Sequence, residues 1–394
     1  MEEVEIPSYF LCPISLQMMR DPVTLPTGIT FDRQSIERWL FSDPRHQTCP
    51  ATNQLLPTSV ELTPNHTLRR LIQAWCVANA SHGVERIPTP RPQIDRSHIS
   101  NLLQQPNHST SLHELQQIIS TSEANRRIVQ SSEAVEFVSS IILEEHGDEA
   151  LAILHSLQIS DDRFITLLKS NPRFLDSLLA ALNLSSYKSR AYATLLLKSI
   201  VPLVSPIILS SVIQEENLHQ IVSVVNDRIS SQATKAALRV LIELFCWGRN
   251  RVKAVNVGAV SSLIDLLLDE NDGRVCELAL VALDKLCACA EGRAVLIGHA
   301  AGVAVVSKKI LRVSAVASER AVRIVEKVAK LSASPAVLQE LVQLGVVSKL
   351  CLLLQVECGA KQKERARGIL KLHARIWKNS PCLSPALLLS YPCS

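Results

Sequence analysis

Apolar residues recur with helical spacing over most of the chain, from about residue 112 to residue 379. In a representative stretch they occupy positions i, i+3, i+4, i+7 and i+8: Val260, Leu263, Ile264, Leu267 and Leu268. This spacing places all these side chains on one face of a helix. The pattern predicts a long succession of amphipathic helices, each of which needs a neighbour to cover its apolar face.

The helical region also repeats itself. Gly258, Gly302 and Gly345 each precede a new apolar helix, at spacings of 44 and 43 residues. The same phase, continued toward the N-terminus, reaches Leu218, Phe174 and Val135. A period of 40–47 residues with two or three helices per unit is typical of an armadillo- or HEAT-type α-solenoid. An irregular helical domain is the alternative.

The N-terminal part of the chain has a different pattern, with short β-branched runs and proline-led loops. Residues 23–31 predict a β-hairpin that turns at Gly28, and Asp32 is placed to cap the helix that follows. Asn65 is placed to cap a second helix. The predicted core of this module is apolar: Leu25, Ile36, Leu40, Leu68, Leu71 and Ile72.

Proline separates the two regions. We predict a compact module over residues 6–78, a semi-rigid and exposed Pro-rich linker over 79–111, about six helical repeats over 112–379 and a tail over 380–394.

Composition narrows the class of protein. Hydrophobic residues make up 47% and charged residues 20%, which is typical of globular chains. The acidic start and the absence of a Cys-x-x-Cys pair among eleven cysteines predict an intracellular protein with reduced thiols. Between residues 8 and 78 the candidate zinc ligands lack paired spacing: Cys12, His46, Cys49, His66 and Cys76. We therefore predict no metal site and no cofactor.

Six ordered motifs carry a family resemblance: Phe10-Leu11-Cys12-Pro13-Ile14-Ser15-Leu16, Asp21-Pro22-Val23-Thr24, Thr27-Gly28-Ile29-Thr30-Phe31-Asp32-Arg33, Ile36-Glu37-Arg38-Trp39-Leu40, Thr48-Cys49-Pro50-Ala51-Thr52 and Leu62-Thr63-Pro64-Asn65-His66-Thr67-Leu68-Arg69-Arg70-Leu71-Ile72. They resemble a U-box, and a U-box followed by armadillo repeats resembles the plant family of U-box E3 ubiquitin ligases, in its short class that starts at the U-box. The fold implied is mainly α, with a small zinc-free RING-like α+β U-box followed by an armadillo-type α-solenoid.

The resemblance implies direct transfer of ubiquitin. A conjugating enzyme charged with ubiquitin docks on the U-box, and ubiquitin passes to a lysine of a protein substrate held by the solenoid, without a covalent intermediate on this chain. The docking residues implied are Ile14, Leu16, Trp39 and Pro50, although core packing is the other interpretation of Trp39. Asn53 matches the ubiquitin-contacting position, where the strongest activators carry a cation.

Four residues are expected to have structural roles in the U-box: Cys12, Asp32, Cys49 and Leu68. Thr63 and Thr89 each precede a proline and are candidate phosphorylation sites. A thioester mechanism using Cys49 with His46 as base is a weaker alternative. A second is a non-enzymatic armadillo adaptor with an inactive U-box.

The family further implies plant stress or defence signalling and a cytoplasmic location, with nuclear and peripheral membrane locations and a homo-oligomer as further options. No transmembrane segment and no nucleic-acid partner are expected. A basic run at 361–371 resembles the last helix of such an array, with Leu370 and Ile376 on its buried side. Its basic face could bind an acidic partner or nucleic acid, and the simpler interpretation is a solvated face that caps the array.

Lysine is unevenly distributed. The formal net charge is +4, yet the first of fifteen lysines is Lys169. We hypothesise that self-ubiquitination is confined to the repeats, and replacement of lysine by arginine through drift is the alternative.

Overall fold

The computed structural model describes residues 6–42, 48–57, 60, 62–82, 84, 94–144, 147–378 and 391–392. The chain divides into two units, Met1–Phe137 and Val138–Ser394.

Unit 1 begins with the hairpin that the β-branched runs predict. Strands β1 (Pro22–Thr24) and β2 (Thr30–Asp32) pair antiparallel, with Val23 opposite Phe31, and β3 (Thr63–Pro64) pairs on the other side of β1. Gly28 has a φ of 82° in the hairpin turn, a conformation that glycine adopts without steric cost.

Two helices cover this sheet. They are α1 (Arg33–Ser42) and α2 (His66–Ala78), and Asn65 caps α2 by accepting a hydrogen bond from the amide of Leu68 at 3.0 Å. The core contains Leu25, Ile36 and Ile72, but Leu71 is 53% exposed, so the prediction that it is buried is wrong. On α2, Leu68 is partly buried beside that core.

The predicted linker is helical in its second half. Helix α3 (Arg96–Leu103) begins after Asp95, whose carboxylate accepts from the amide of His98, and it buries Ile99 and Leu102. Helix α4 starts at His108. The structure thus differs from an exposed linker that extends to residue 111, because two apolar side chains on one face were enough to dock a short helix. Unit 1 also contains these helices: α4 (His108–Thr121), α5 (Glu123–Gln130) and the start of α6 (Ala134–Ser140).

Unit 2 is built from consecutive groups of three helices. Its helices are α7 (Gly147–Ser156), α8 (Asp161–Ser170), α9 (Phe174–Ala181), α10 (Tyr187–Ile200), α11 (Pro206–Val212), α12 (Glu215–Asp227), α13 (Ser231–Leu244), α14 (Gly248–Asn256), α15 (Ala259–Asp269), α16 (Gly273–Leu286), α17 (Ala290–Gly298), α18 (Gly302–Lys309), α19 (Ala315–Leu331), α20 (Pro335–Gln343), α21 (Val346–Gln355), α22 (Ala360–Leu372) and α23 (Ala374–Trp377). The longest helix of each group packs on its counterpart in the next group: α10 on α13, α13 on α16, α16 on α19 and α19 on α22. We call these five helices the third-helix stack.

The glycines that define the repeat period lie where the second helix of a group begins. Gly258 has a φ of 84° at the N-terminus of α15, and Gly302 opens α18. A Cβ at Gly302 would lie 2.0 Å from the carbonyl oxygen of Leu296. The two glycines are therefore required for different reasons, one for its backbone angle and the other for a close approach of chain segments.

The end of the array corrects one further expectation. Leu370 is buried, but Ile376 is 53% exposed. The neighbouring Trp377 is buried instead and donates a hydrogen bond from Nε1 to the carbonyl of Leu338 at 3.1 Å. Its larger apolar surface outweighs that of isoleucine when only one of two adjacent side chains can face inward.

Among the described residues, no single helix is long and apolar enough to cross a membrane, although the bent pair α20 and α21 meets that test by length and composition.

Candidate conjugating-enzyme docking site

Two loops of unit 1 have the same backbone geometry. Loop 1 runs from Cys12 to Gln17 and loop 2 from Cys49 to Gln54. In each, the amide of the first residue donates to the carbonyl of the sixth at 2.8 Å, and the amide of the fifth donates to the carbonyl of the first at 2.8 Å. The fifth residues, Leu16 and Asn53, have φ angles of 54° and 56°. The two loops share cysteine at the first position, proline at the second and glutamine at the sixth.

A cysteine begins each loop, and both sulfurs have partners within the protein. The amide of Asp32 donates to Cys12 Sγ at 3.3 Å, and the hydroxyl of Thr27 donates to Cys49 Sγ at 3.4 Å. Both side chains are fully buried. These bonds tie loop 1 to β2 and loop 2 to the hairpin turn, so hydrogen bonds hold the two loops in place.

Burial and hydrogen bonding act on the thiols in opposite directions. Burial alone would raise the pKa of Cys12, but hydrogen bonds from the amides of Ser15, Asp32 and Ile14 lower that pKa below its ordinary value. For Cys49, hydrogen bonding from Thr27 and Thr52 likewise outweighs burial and lowers the pKa. Neither sulfur presents surface to a reacting ubiquitin thioester. His46, the base of the alternative mechanism, lies outside the described residues.

No group of three or more His, Cys, Asp or Glu side chains that could hold a metal occurs in the described part of the chain. Around the loops, a polar network is present. Asp32 Oδ1 accepts from the amides of Arg20 and Asp21 at 2.8 and 3.0 Å, which fixes the chain just before β1. Arg33 Nε lies 2.6 Å from Asp21 Oδ2, and Arg69 Nη1 lies 3.7 Å from the other oxygen. Arg69 reaches this network from α2, and no local sequence signal marks it as a partner of Asp21.

The Trp39 side chain connects helix α1 to loop 2. Its Nε1 donates to the carbonyl of Thr48 at 3.2 Å, and its ring is partly buried against the unit 1 core. Core packing therefore accounts for part of this side chain, some of its surface stays exposed, and docking of a partner on Trp39 remains a prediction. The hydrogen bond fixes the ring beside loop 2.

The two most exposed apolar side chains among the described residues of unit 1, Leu16 and Leu55, lie on or next to the two loops. Leu16 is 73% exposed at the tip of loop 1, whereas Ile14 and Pro50 are partly buried. Asn53 is exposed in loop 2. Leu55, which is 83% exposed directly after loop 2, was missed. In the sequence, Leu55 is an apolar residue outside any helical or strand pattern, and this could have marked it as exposed.

Helix α1 also contacts helix α5 within unit 1. Glu37 is buried on α1, and its Oε2 accepts a hydrogen bond from the hydroxyl of Ser122 at 3.0 Å. Ser122 in turn accepts from the amide of Ala124 and so caps α5. Burial raises the pKa of Glu37, and the Ser122 hydrogen bond lowers it, with burial dominant. Arg33 Nη1 is 3.8 Å from Glu37 Oε1, too far for a hydrogen bond.

Of the candidate phosphorylation sites, Thr63 is exposed in β3, opposite Thr24. Thr89 lies outside the described residues.

Comparison with protein families decides the class. Residues 6–81 match the U-box domain model, and residues 93–393 match the model of the plant U-box protein ARM repeat region. The chain belongs to the plant U-box proteins with armadillo repeats. Membership in this family makes the protein a U-box E3 ubiquitin transferase of the RING type.

Curated relatives from Arabidopsis thaliana match over nearly their whole length. E3 ubiquitin-protein ligase PUB23 is 50% identical over 410 residues, which cover 100% of this chain and 98% of the relative. E3 ubiquitin-protein ligase PUB22 is 44% identical, with 99% of each chain covered. U-box domain-containing protein 25 is 35% identical, with 95% of this chain and 92% of the relative covered.

Solved structures support the fold of the repeats. An engineered protein has a TM-score of 0.51 at 17% identity, covering 61% of this chain and 97% of its own. A chain from a study of the phosphorylation switch between cadherin and beta-catenin has a TM-score of 0.60 at 13% identity, covering 78% and 58%. At these identities the likeness concerns the fold alone.

Proposed function

We propose that the U-box recruits a ubiquitin-charged conjugating enzyme and promotes direct transfer of ubiquitin to a lysine of a substrate held by the armadillo repeats. The observation that carries the proposal is the pair of matched loops, with Trp39 of α1 hydrogen-bonded to the start of loop 2. We take Trp39, which lies beside loop 2, and the exposed or partly exposed Ile14, Leu16 and Pro50 of the two loops as one apolar patch. Such a patch suits a protein partner, because buried aromatic anchors dominate binding energy at interfaces.

The chemistry remains on the conjugating enzyme. The U-box contributes proximity and restricts the orientation of the thioester, and these two effects lower the entropic part of the barrier. Asn53 in loop 2 faces ubiquitin in this proposal and contributes a hydrogen bond without charge. Cys12 and Cys49 act as buried structural residues, which is supported by the protein partners of both sulfurs.

The test is self-ubiquitination with purified activating and conjugating enzymes. We expect Trp39→Ala to reduce the rate by about 30-fold or more, since truncation of an interface anchor costs at least about 2 kcal/mol. Trp247→Ala is the matched control, because Trp247 is an exposed tryptophan outside the U-box. Chains formed equally by Trp39→Ala and parent protein, or no chains from the parent protein, would favour an armadillo scaffold with an inactive U-box.

The lysine distribution bears on self-modification. The fifteen lysines all lie in unit 2, from Lys169 to Lys378, so unit 1 contains no lysine side chain that could accept ubiquitin. We propose that self-ubiquitination marks the repeats and spares the docking surface of the U-box. Mapping of modified sites by mass spectrometry tests this proposal, and attachment at the N-terminal amine with every lysine unmodified would contradict it.

The proposal also covers phosphorylation, cellular location and pathway. Phosphorylation of Thr63 and Thr89 by a proline-directed kinase would add negative charge beside the U-box sheet and within the Pro-rich segment. We place the protein in the cytoplasm, in plant stress or defence signalling. Kinase labelling of parent and Thr63→Ala proteins tests the first point, and fluorescence microscopy of a tagged chain tests the second.

A further inference from the structure

Positive charge is concentrated on the third-helix stack. These five helices hold 16 of the chain's 41 Lys and Arg residues but only 6 of its 37 Asp and Glu residues, a net charge of +10. The whole chain has a net charge of +4, so the remaining residues sum to −6. Helix α7, which precedes the stack, carries Asp148 and Glu149 and no Lys or Arg. The basic character is therefore a property of the stack and begins at α10.

Several cations that join neighbouring groups in unit 2 are matched by their own carboxylate, and others bond to carbonyl, hydroxyl or thiol groups. Arg190 Nη1 lies 2.6 Å from Asp227, and Lys235 Nζ lies 2.7 Å from Asp272. On the last helix, Arg365 contacts two carboxylates of α19, at 3.5 and 3.2 Å. Ion pairs of this kind hold adjacent repeats in register and leave little charge for a ligand.

Between α16 and α19, cations outnumber the carboxylate that they contact. The carboxylate of Asp284 is 2% exposed and faces three cations: Arg320 Nη1 at 3.3 Å, Arg323 Nε at 3.0 Å and Lys327 Nζ at 2.6 Å. These side chains keep 30%, 33% and 23% of their surface exposed, and Arg320 Nε is buried without a hydrogen-bond partner. One carboxylate cannot neutralise three cations, so a charge of +2 remains at the surface.

Lys285 adds a further cation on the same helix as Asp284. Its ammonium group contacts the thiol of Cys246 at 3.0 Å, which is not a carboxylate. We call Lys285, Arg320, Arg323 and Lys327 the cationic patch.

We propose that the cationic patch binds an acidic segment of a partner protein. Asp284 holds the heads of three cations at fixed positions before any ligand arrives, so little side-chain entropy remains to be lost on binding. Guanidinium groups with exposed edges then bind a carboxylate or phosphate through charge-assisted hydrogen bonds. The inference rests on the proposed function in one respect: if the armadillo repeats hold the substrate, the acidic partner is that substrate.

Several features favour a peptide over nucleic acid. The helices α13, α16, α19 and α22 contain no Phe, Tyr or Trp on which bases could stack. Carboxylates also lie within the stack, among them Glu277, Glu319 and Glu326, and they would repel a continuous phosphate backbone. Packed helices lie about 8–10 Å apart, and an extended chain advances about 3.3 Å per residue. A ligand with an acidic side chain at about every third position therefore matches successive helices.

The experiment measures fluorescence anisotropy of a labelled peptide of about twelve residues, with Glu at every third position and Ser and Gly elsewhere, against the full chain. We expect the Glu peptide to bind and its Gln counterpart to bind at least about tenfold more weakly. Arg320→Glu/Arg323→Glu should weaken binding of the Glu peptide by about 30-fold, because two attractive contacts become repulsive.

Two further variants control for folding and net charge. Arg320→Gln/Arg323→Gln keeps hydrogen-bonding groups near Asp284 and should still weaken binding by about tenfold. Arg173→Glu/Arg249→Glu makes the same change in net charge as the first variant at exposed positions outside the stack, and should leave affinity within about twofold.

Three outcomes would overturn the inference: equal binding of the Glu and Gln peptides, equal losses in the patch and control variants, or tighter binding of a single-stranded oligonucleotide of equal charge. Because peptide binding needs no ubiquitin enzymes, its failure is distinct from failure of the proposed transferase mechanism. Self-ubiquitination by the patch variant should match that of the parent.

Discussion

The contact between Glu37 and Ser122 makes a quantitative prediction about unit 1. The hydroxyl of Ser122 donates to the buried carboxylate at 3.0 Å and accepts from the amide of Ala124 at 3.1 Å. Substitution of Ser122 by Ala removes both hydrogen bonds at once. It leaves Glu37 buried without its hydroxyl partner, and it leaves the first turn of α5 without its cap.

The magnitude follows from these two losses. A lost N-cap costs about 1 kcal/mol, and a lost hydrogen bond to a buried charged group costs about 1.5–3 kcal/mol. We therefore expect Ser122→Ala to reduce the free energy of unfolding of unit 1 by about 3 kcal/mol. For a unit of this size, that corresponds to a decrease in Tm of about 10 °C.

The pH dependence has a definite sign. Because the Ser122 hydrogen bond lowers the pKa of Glu37, its removal raises the folded-state pKa further. The cost of the substitution is complete while Glu37 is ionised in both proteins, and it decreases as the pH falls through the folded-state pKa of the variant. At acid pH only the lost cap and a neutral hydrogen bond should remain, about 2 kcal/mol.

The assay is thermal and urea unfolding followed by tryptophan fluorescence, in which Trp39 and Trp75 report on unit 1 and Trp247 and Trp377 report on unit 2. Ser120→Ala is the matched control, since its exposed hydroxyl bonds to a carbonyl one turn earlier in α4 and should contribute less than about 0.5 kcal/mol. A Ser122→Ala cost as small as that of the control, or a cost that increases toward acid pH, would refute the reasoning.

Three further predictions test other parts of the structure. Asn53→Arg should accelerate discharge of ubiquitin from the conjugating enzyme by about fivefold in a single-turnover assay, as one charge-assisted hydrogen bond replaces a neutral one; unchanged or slower discharge would argue against contact with ubiquitin. A strong chelator should leave the Tm of unit 1 unchanged, because Cys49 Sγ has a protein partner, whereas loss of structural zinc would remove about 10 kcal/mol or more. Trp377→Ala should cost about 3–5 kcal/mol in calorimetry and Trp247→Ala less than about 1, because Trp377 is buried and Trp247 is 41% exposed; similar costs would contradict the packing at the end of the array.

Much of the U-box was predictable from local signals. The hairpin over β1 and β2 and the Asn65 cap of α2 depend on turn and cap chemistry that neighbouring residues determine. Not every partner in the polar network could be predicted, because Arg69 contacts Asp21 only once α2 packs on the sheet. Leu71 was misplaced for a related reason: helical spacing identifies an apolar stripe but not how wide a stripe the core accepts.

The sequence by itself determined the family, the repeat period and the positions where second helices begin, because these depend on spacing and on glycines that no other residue replaces without strain. Only the tertiary structure decided which charges meet. Asp284 is 36 to 43 residues from the cations that surround it, and Ser122 is 85 residues from Glu37. Electrostatic interactions and hydrogen bonds depend on distance in space. Helix packing sets that distance, and the residues next to each partner in the sequence do not indicate it.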